Sequence, residues 1–176
     1  MWIWIPVCAS ISLKTPSAKA RMDQQADSSF IDVGDNTALV CVDQQQYQKV
    51  VVPQLIDMTY KVHLGLFEED VILKLKTYNY DVIVIYENFK GSTLQTNPLL
   101  RELIQEPDAQ RRQHFVVLLS HAFATNDAMS AFAHSVDHII NIADLANFQP
   151  VLRRGVAQRQ ALYRSFNDMT KSIQAL

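Results

Sequence analysis

Glycine is scarce in this chain, with four among 176 residues. Neither the G-x-G-x-x-G turn nor the G-x-x-x-x-G-K-[ST] cradle follows any apolar run, so dinucleotide and nucleotide binding lose their sequence support. The G-x-S-x-G nucleophile elbow is absent too. Cysteine is scarcer still: Cys8 and Cys41 lie in different segments and form no Cys-x-x-Cys pair, which excludes a disulfide framework and a cysteine zinc site. A reducing cytoplasm fits that usage. Charge of one sign is missing as well, since 16 Lys and Arg face 18 Asp and Glu for a net charge of −2. No global positive field remains to hold a phosphate backbone, and nucleic acid is not an expected partner. The longest apolar stretch, residues 2–13 (WIWIPVCASISL), is broken by Pro6 and falls well short of the roughly 20 residues a membrane-spanning helix needs, so no membrane anchor is expected.

What is present is an ordinary globular composition, 48% hydrophobic and 19% charged, in a length that suits one domain with additions. Residues 1–36 are set apart as a non-domain leader. Two readings of it stand. Ala18-Lys19-Ala20 matches the small-x-small pattern of a signal cleavage site, although no Lys or Arg precedes the apolar run. Alternatively the stretch is a frayed leader, or an upstream start in front of Met22, because the polar residues 21–36 carry no core pattern.

From Thr37 onward the chain alternates. Residues 38–42 (ALVCV) form a short apolar run without helical period, which reads as a strand buried on both faces. Residues 47–60 read as an amphipathic helix from Val51, Leu55 and Met58, with Pro53 as a kink or late start. Residues 61–67 read as a strand, and residues 68–77 as a helix with acids first and lysines last, as the helix dipole favours. Residues 81–86 (DVIVIY) are a third strand. Asn97-Pro98 opens a helix with a cap and a proline at its first position, and residues 114–119 (HFVVLL) form a fourth strand. Thr125-Asn126-Asp127 caps a helix running to about His134, residues 136–142 form a fifth strand, and Asp144 caps a last helix.

Five apolar strands alternating with helices predict an α/β fold: a five-stranded, doubly wound parallel sheet of the flavodoxin-like type, with an extended C-terminal helix. Ligands of such sheets sit beyond the carboxyl ends of the strands, which directs attention to Asp43, Gln44, Tyr86, Glu87, Ser120, His121 and Asn141.

The order of elements, together with phrases such as YNYDVIVIYENFKG (residues 78–91) and HFVVLLSHAF (residues 114–123), resembles the receiver domain of bacterial response regulators. The resemblance covers residues 37–157. It implies a site in which an Asp ending the third strand accepts a phosphoryl group, with Mg²⁺ held by an acidic pair after the first strand, a Ser or Thr ending the fourth and a Lys ending the fifth. Asp43 matches one acid of the pair, but Gln44 replaces the other. Tyr86 stands at the acceptor position, Ser120 keeps the hydroxyl, and Asn141 replaces the Lys. One carboxylate among neutral amides holds Mg²⁺ weakly, so no cofactor is expected, and a phenol is a poor phosphoryl acceptor without base and metal. More narrowly, residues 81–88, Asn97-Pro98 and residues 131–142 (AFAHSVDHIINI) are similar to receiver-like domains that follow a zinc ribbon in some bacterial proteins; the ribbon's paired cysteines are missing here.

The resemblance implies a degenerate receiver that signals through protein contacts in the cytoplasm rather than an enzyme. The alternative is an active, Mg²⁺-dependent phosphorelay receiver using Glu87 or Tyr86 as acceptor, with Glu87 reached by a register slip of one residue. Against it, Glu87 reads more simply as a solvated loop acid, Asp43 as a helix cap or loop acid, and Tyr86 as a half-buried aromatic filling the vacant pocket. Phe89 and Leu94, in the long loop after the third strand, are expected to cover that pocket. His134 and His138 lie four apart but on different elements, and Ser120 and His121, as neighbours on an extended chain, point to opposite faces; neither pair makes a metal or nucleophile site.

The last helix carries a further pattern. Leu145, Phe148, Leu152, Gly155, Arg159, Leu162, Phe166, Met169, Ile173 and Leu176 step by three and four, with Gly and Arg as two defects in a seven-residue repeat. Residues 158–176 are expected to extend past the domain and to present Leu162, Phe166, Met169 and Ile173 to the domain itself, a partner protein or a second copy in a homodimer.

Overall fold

The structure is a computed structural model that describes residues 36–174, with side chains described through residue 164. The leader, and the side chains of Phe166, Met169, Ile173 and Leu176, lie outside the described residues. Five strands, β1 (Thr37–Cys41), β2 (Lys61–Leu64), β3 (Val82–Tyr86), β4 (Phe115–Ser120) and β5 (His138–Asn141), form one sheet in the order β2-β1-β3-β4-β5, with all pairs parallel. The helices are α1 (Gln45–Asp57), α2 (Glu68–Thr77), α3 (Pro98–Gln105), α4 (Ala128–Ala133) and α5 (Phe148–Gln174), with one further helical turn at Asp108–Arg111.

The strands are continuous apolar runs because both faces of the sheet are covered. Ala38, Val40, Val82, Val84, Val117, Leu119 and Ile140 pack with Val51 and Leu55 of α1 and with Phe148 and Leu152 of α5. The alternate residues Leu39, Cys41, Ile83, Ile85, Val116, Leu118 and Ile139 pack with Val71 and Leu75 of α2, Leu99 and Leu103 of α3 and Ala131 of α4. Cys41 is buried and free, and burial pushes its thiol up, which makes it inert. Among the described residues no helix is long and apolar enough to cross a membrane.

Several element ends differ from the sequence expectation. Pro53 lies inside α1 rather than at its start; it is exposed, and the buried Val51 and Leu55 hold the helix on either side of it. β2 stops at Leu64 rather than at Phe67, because Gly65 brings the chain against α2: a Cβ there would lie 2.3 Å from the Val71 side chain. β5 begins at His138, since the Val136 N–H turns back to the Ala131 carbonyl. Asp144 does not cap the last helix. Residues Ile142–Asn147 form a 3-10 turn capped by the Asn141 side chain, while Asp144 accepts a hydrogen bond from Thr125, and α5 starts at Phe148.

The two defects in the C-terminal repeat are where α5 meets the sheet. Gly155 is buried, and a Cβ there would lie 2.8 Å from the Phe115 ring and 3.3 Å from His138 Nδ1. Arg159 donates to the carbonyls of His114 and Arg112 at the amino-terminal rim of the sheet. At the same rim the Asp137 carboxylate accepts from Val116 N at 2.9 Å and from both terminal nitrogens of Arg111 at 3.0 Å. Arg111 is therefore a structural residue, whereas Arg153 and Arg154 are exposed.

Gly155→Ala is expected to lower stability by about 1–2 kcal/mol in urea denaturation, because crowding of the buried Phe115 ring outweighs the better helix propensity of alanine. His138 supplies a pH dependence. Burial depresses its pKa, with Asp137 opposing, so the unfolded chain takes up a proton that the folded chain does not as pH falls below about 6.5. Stability is expected to fall across that window on acidification, and His138→Gln to flatten the loss, as read from denaturation midpoints at pH 7.5 and 5.5.

Candidate functional site at the carboxyl ends of the strands

The carboxyl ends of β1, β3 and β4 bring Asp43, Tyr86, Glu87 and Ser120 into one region. The pairing of Tyr86 with Leu119 sets Glu87 opposite Ser120, and the Glu87 N–H donates to the Leu119 carbonyl at 3.0 Å. Ser120 follows Val116 and Leu118 in the alternation, and Glu87 follows Ile83 and Ile85, so both side chains leave the sheet on the same side. They meet there: Ser120 Oγ donates to Glu87 Oε2, and the His121 N–H donates to Glu87 Oε1 at 2.8 Å. Glu87 is 6% exposed and Ser120 is fully buried. Glu87 is thus not a solvated loop acid; it is the carboxylate that engages the β4 hydroxyl. Ser120 Oγ in turn accepts from the N–H groups of Ala122 and Phe123, which anchors the start of the following loop.

Tyr86 goes the other way. Its side chain belongs to the α1 side of the core with Val82 and Val84, and at 5% exposed it is buried rather than half-buried. Its hydroxyl lies 3.3 Å from His121 Nε2, and the Tyr47 hydroxyl lies 3.3 Å from the same nitrogen. The Tyr47 and Tyr86 ring centroids are 5.5 Å apart, with the His121 ring 6.1 Å from each. Burial raises the pKa of the Tyr86 phenol, a hydrogen bond with the Asn88 side chain opposes the rise, and the nearby Tyr47, Glu87 and Asp43 add to it. The Tyr47–Tyr86–His121 cluster is absent from the sequence expectation. Its one signal there is an aromatic two residues into the first helix.

Asp43 Oδ2 accepts the Lys90 N–H at 3.2 Å, while its Oδ1 is buried without a hydrogen-bond partner. It caps no helix, because Gln44 holds the cap position of α1, exposed and with no side-chain cap bond. The loop after β3 covers this acid with backbone. Phe89 is fully buried in the core on the α2 and α3 side, the side to which Glu87 and Ser120 also turn, and Leu94 packs against the same core. Lys90 reaches Asp43 by adopting φ 55°, a left-handed conformation.

Asn97 sets the base of that loop. Its Oδ1 caps α3 by accepting from Leu99 N at 3.0 Å and Leu100 N at 3.3 Å, as the sequence predicts. Its Nδ2 also donates to the carbonyls of Tyr86 and Glu87 at 3.1 and 3.2 Å, which the sequence does not reveal. Asn141 is engaged elsewhere: Nδ2 donates to Phe123 O at 2.7 Å and to His121 O at 3.4 Å, and Oδ1 accepts the Ala143 N–H. It ties the loop after β4 to β5 and offers no cation in place of an ammonium. His134 ends α4 beside Phe123 and His138 begins β5 beside Phe115.

A receiver fold implies Mg²⁺, and the donor set does not fit it. Asp43 offers one free carboxylate oxygen, Gln44 is a neutral exposed amide, and both Glu87 oxygens already accept hydrogen bonds. Among the described residues no group of three or more His, Cys, Asp or Glu could hold a metal ion. Mg²⁺ needs near-octahedral oxygen ligation, and this arrangement does not supply its share.

No protein-family model matches the chain, and no curated protein matches its sequence. Solved structures do. The receiver domain of the Francisella response regulator 1452 is 15% identical with a TM-score of 0.55, over 70% of this chain and 98% of that one. The chemotaxis response regulator CheY4 of Vibrio cholerae is 16% identical with a TM-score of 0.52, over 69% and 98%. HP1043, an orphan response regulator of H. pylori, is 13% identical with a TM-score of 0.52, over 71% and 99%. At such identities the likeness concerns the fold, and it agrees with the strand order and parallel pairing described above: the chain has the fold of a response regulator receiver domain.

Proposed function

We propose that this chain is a degenerate receiver that signals by protein–protein contact, without phosphoryl transfer and without acting as an enzyme. The observation that carries the reading is the engagement of Glu87 by Ser120 and the His121 N–H. A phosphoryl group arriving at this place would need that hydroxyl and that N–H for its own oxygens, and a buried carboxylate already holds both. Stabilising the transferring group would also take a metal or a cation. Asp43 alone makes a weak metal site, and Asn141 is bound into the neighbouring loop.

Contact surfaces are supported by exposed apolar side chains. Met129 and Phe132 lie one helical turn apart on α4 and are 78% and 83% exposed, and Leu162 on α5 is 81% exposed. Large apolar side chains left exposed on these two helices suit a protein partner in the cytoplasm rather than nucleic acid or a membrane.

Incubation of the full chain with Mg²⁺ and acetyl phosphate is expected to leave its intact mass unchanged, beside a receiver with an intact site that gains one phosphoryl group. A gain of one phosphoryl group, mapped to Glu87 or Tyr86, would establish an active phosphorelay receiver instead. Ser120→Ala is expected to cost about 1–3 kcal/mol in urea denaturation, because it strips a buried carboxylate of a hydrogen bond. A variant as stable as the parent would show that the bond contributes nothing.

A further inference from the structure

We propose that two copies of this chain pair through the C-terminal half of α5 as a parallel coiled coil. The inference rests on the contact reading above and names the partner as a second copy. It starts from a stripe on the helix that changes its role partway along. Phe148 and Leu152 are fully buried against the sheet, Gly155 sits against Phe115 and His138, and Arg159 bonds the carbonyls of His114 and Arg112 at the rim. Every position of the three-and-four series through Arg159 therefore faces its own domain. The next, Leu162, is 81% exposed. The helix nevertheless continues unbroken to Gln174, and the sequence places Phe166, Met169 and Ile173 at the same register positions.

Past Arg159 the helix runs on for about 15 residues, or about 22 Å, without folding back. A helix of that length is marginal in water unless an apolar face is covered. The spacing identifies the cover. Positions 159, 166 and 173 and positions 162, 169 and 176 each repeat every seven residues, which is the period that keeps a seam facing an identical supercoiled neighbour. The positions flanking the seam, Tyr163, Ser165, Thr170 and Ser172, carry no charge. Two identical helices side by side thus meet no like-charge repulsion, and a foreign helix would find no charge pattern to select it. A two-fold pair uses the same stripe on both copies, and the Gly155 and Arg159 contacts hold each helix at the same angle to its own domain. A seam this short, about two heptads per helix, belongs with the small, transient interfaces, so association in the micromolar range is expected.

Sedimentation of the full chain across a micromolar concentration series tests this. The expected mass at high concentration is twice the chain mass of 20.0 kDa. Leu162→Glu with Met169→Glu is expected to weaken association at least 100-fold while the thermal transition of the domain stays in place. A wild-type chain that remains monomeric at about 100 µM, or a dimer that survives the double substitution, overturns the proposal. Leu162→Cys in a Cys8→Ser background supplies an independent reading: mild oxidation cross-links the two copies if the helices are parallel, and the absence of a cross-link overturns the pairing. The outcomes separate this inference from the reading it rests on. Phosphoryl incorporation by a dimer would overturn the contact-only function alone, and a monomer that takes no phosphoryl group would overturn the pairing alone.

Discussion

Alternation of side chains across a sheet covered on both faces is the constraint from which the rest of this molecule follows. Each strand residue must go either to the α1 and α5 side or to the α2, α3 and α4 side, and the register between strands fixes which neighbours share a side. At the carboxyl end of β3 the rule separates two adjacent residues. Tyr86 joins the valines beneath α1 and ends beside Tyr47 and His121, while Glu87 is carried to the opposite side and placed against Ser120. A slip of one residue would put a phenol in place of the carboxylate at the hydroxyl that ends β4. The chemistry of the site is therefore decided by backbone register before any side chain is considered.

The fold was largely legible in the chain, because buried parallel strands are short apolar runs and the intervening helices carry period and caps. Residues 68–77 and the Asn97-Pro98 start correspond to α2 and α3 directly. The site was legible only in part, and for a specific reason. A strand buried on both faces has no polar and apolar alternation, so its sequence does not disclose which of its residues share a side with those of the neighbouring strands. Spacing from Asp81 points to Tyr86, and only the pairing of Tyr86 with Leu119 reveals Glu87 as the residue opposite Ser120. Asp144 failed as a cap for a different reason: Asn141, three residues earlier, already serves the 3-10 turn. Gly155 and Arg159, which read as flaws in a repeat, became intelligible only with the sheet beside them.

The two ends of the sheet divide the work. At the amino-terminal rim, charge is spent on structure: the Asp137 carboxylate collects the Arg111 fork and the Val116 N–H, and Arg159 reaches carbonyls rather than solvent. Those bonds set the angle at which α5 leaves the domain. At the opposite end, polar groups pair among themselves in a small space, with a carboxylate on a hydroxyl, an imidazole between two phenols and an amide across a loop. Asp43 Oδ1, buried without a partner, is the exception among these groups.

The double engagement of Asn97 has a practical reach of its own. One amide holds the exit of β3 with its nitrogen and the entry of α3 with its oxygen, so the chain between them is fastened at its base. Gly91, Thr93, Gln95 and Thr96, beyond the buried Phe89, are exposed. That stretch is a natural splice point. A fluorescent reporter or an affinity tag inserted there would ride on the domain without loosening either element that the asparagine joins.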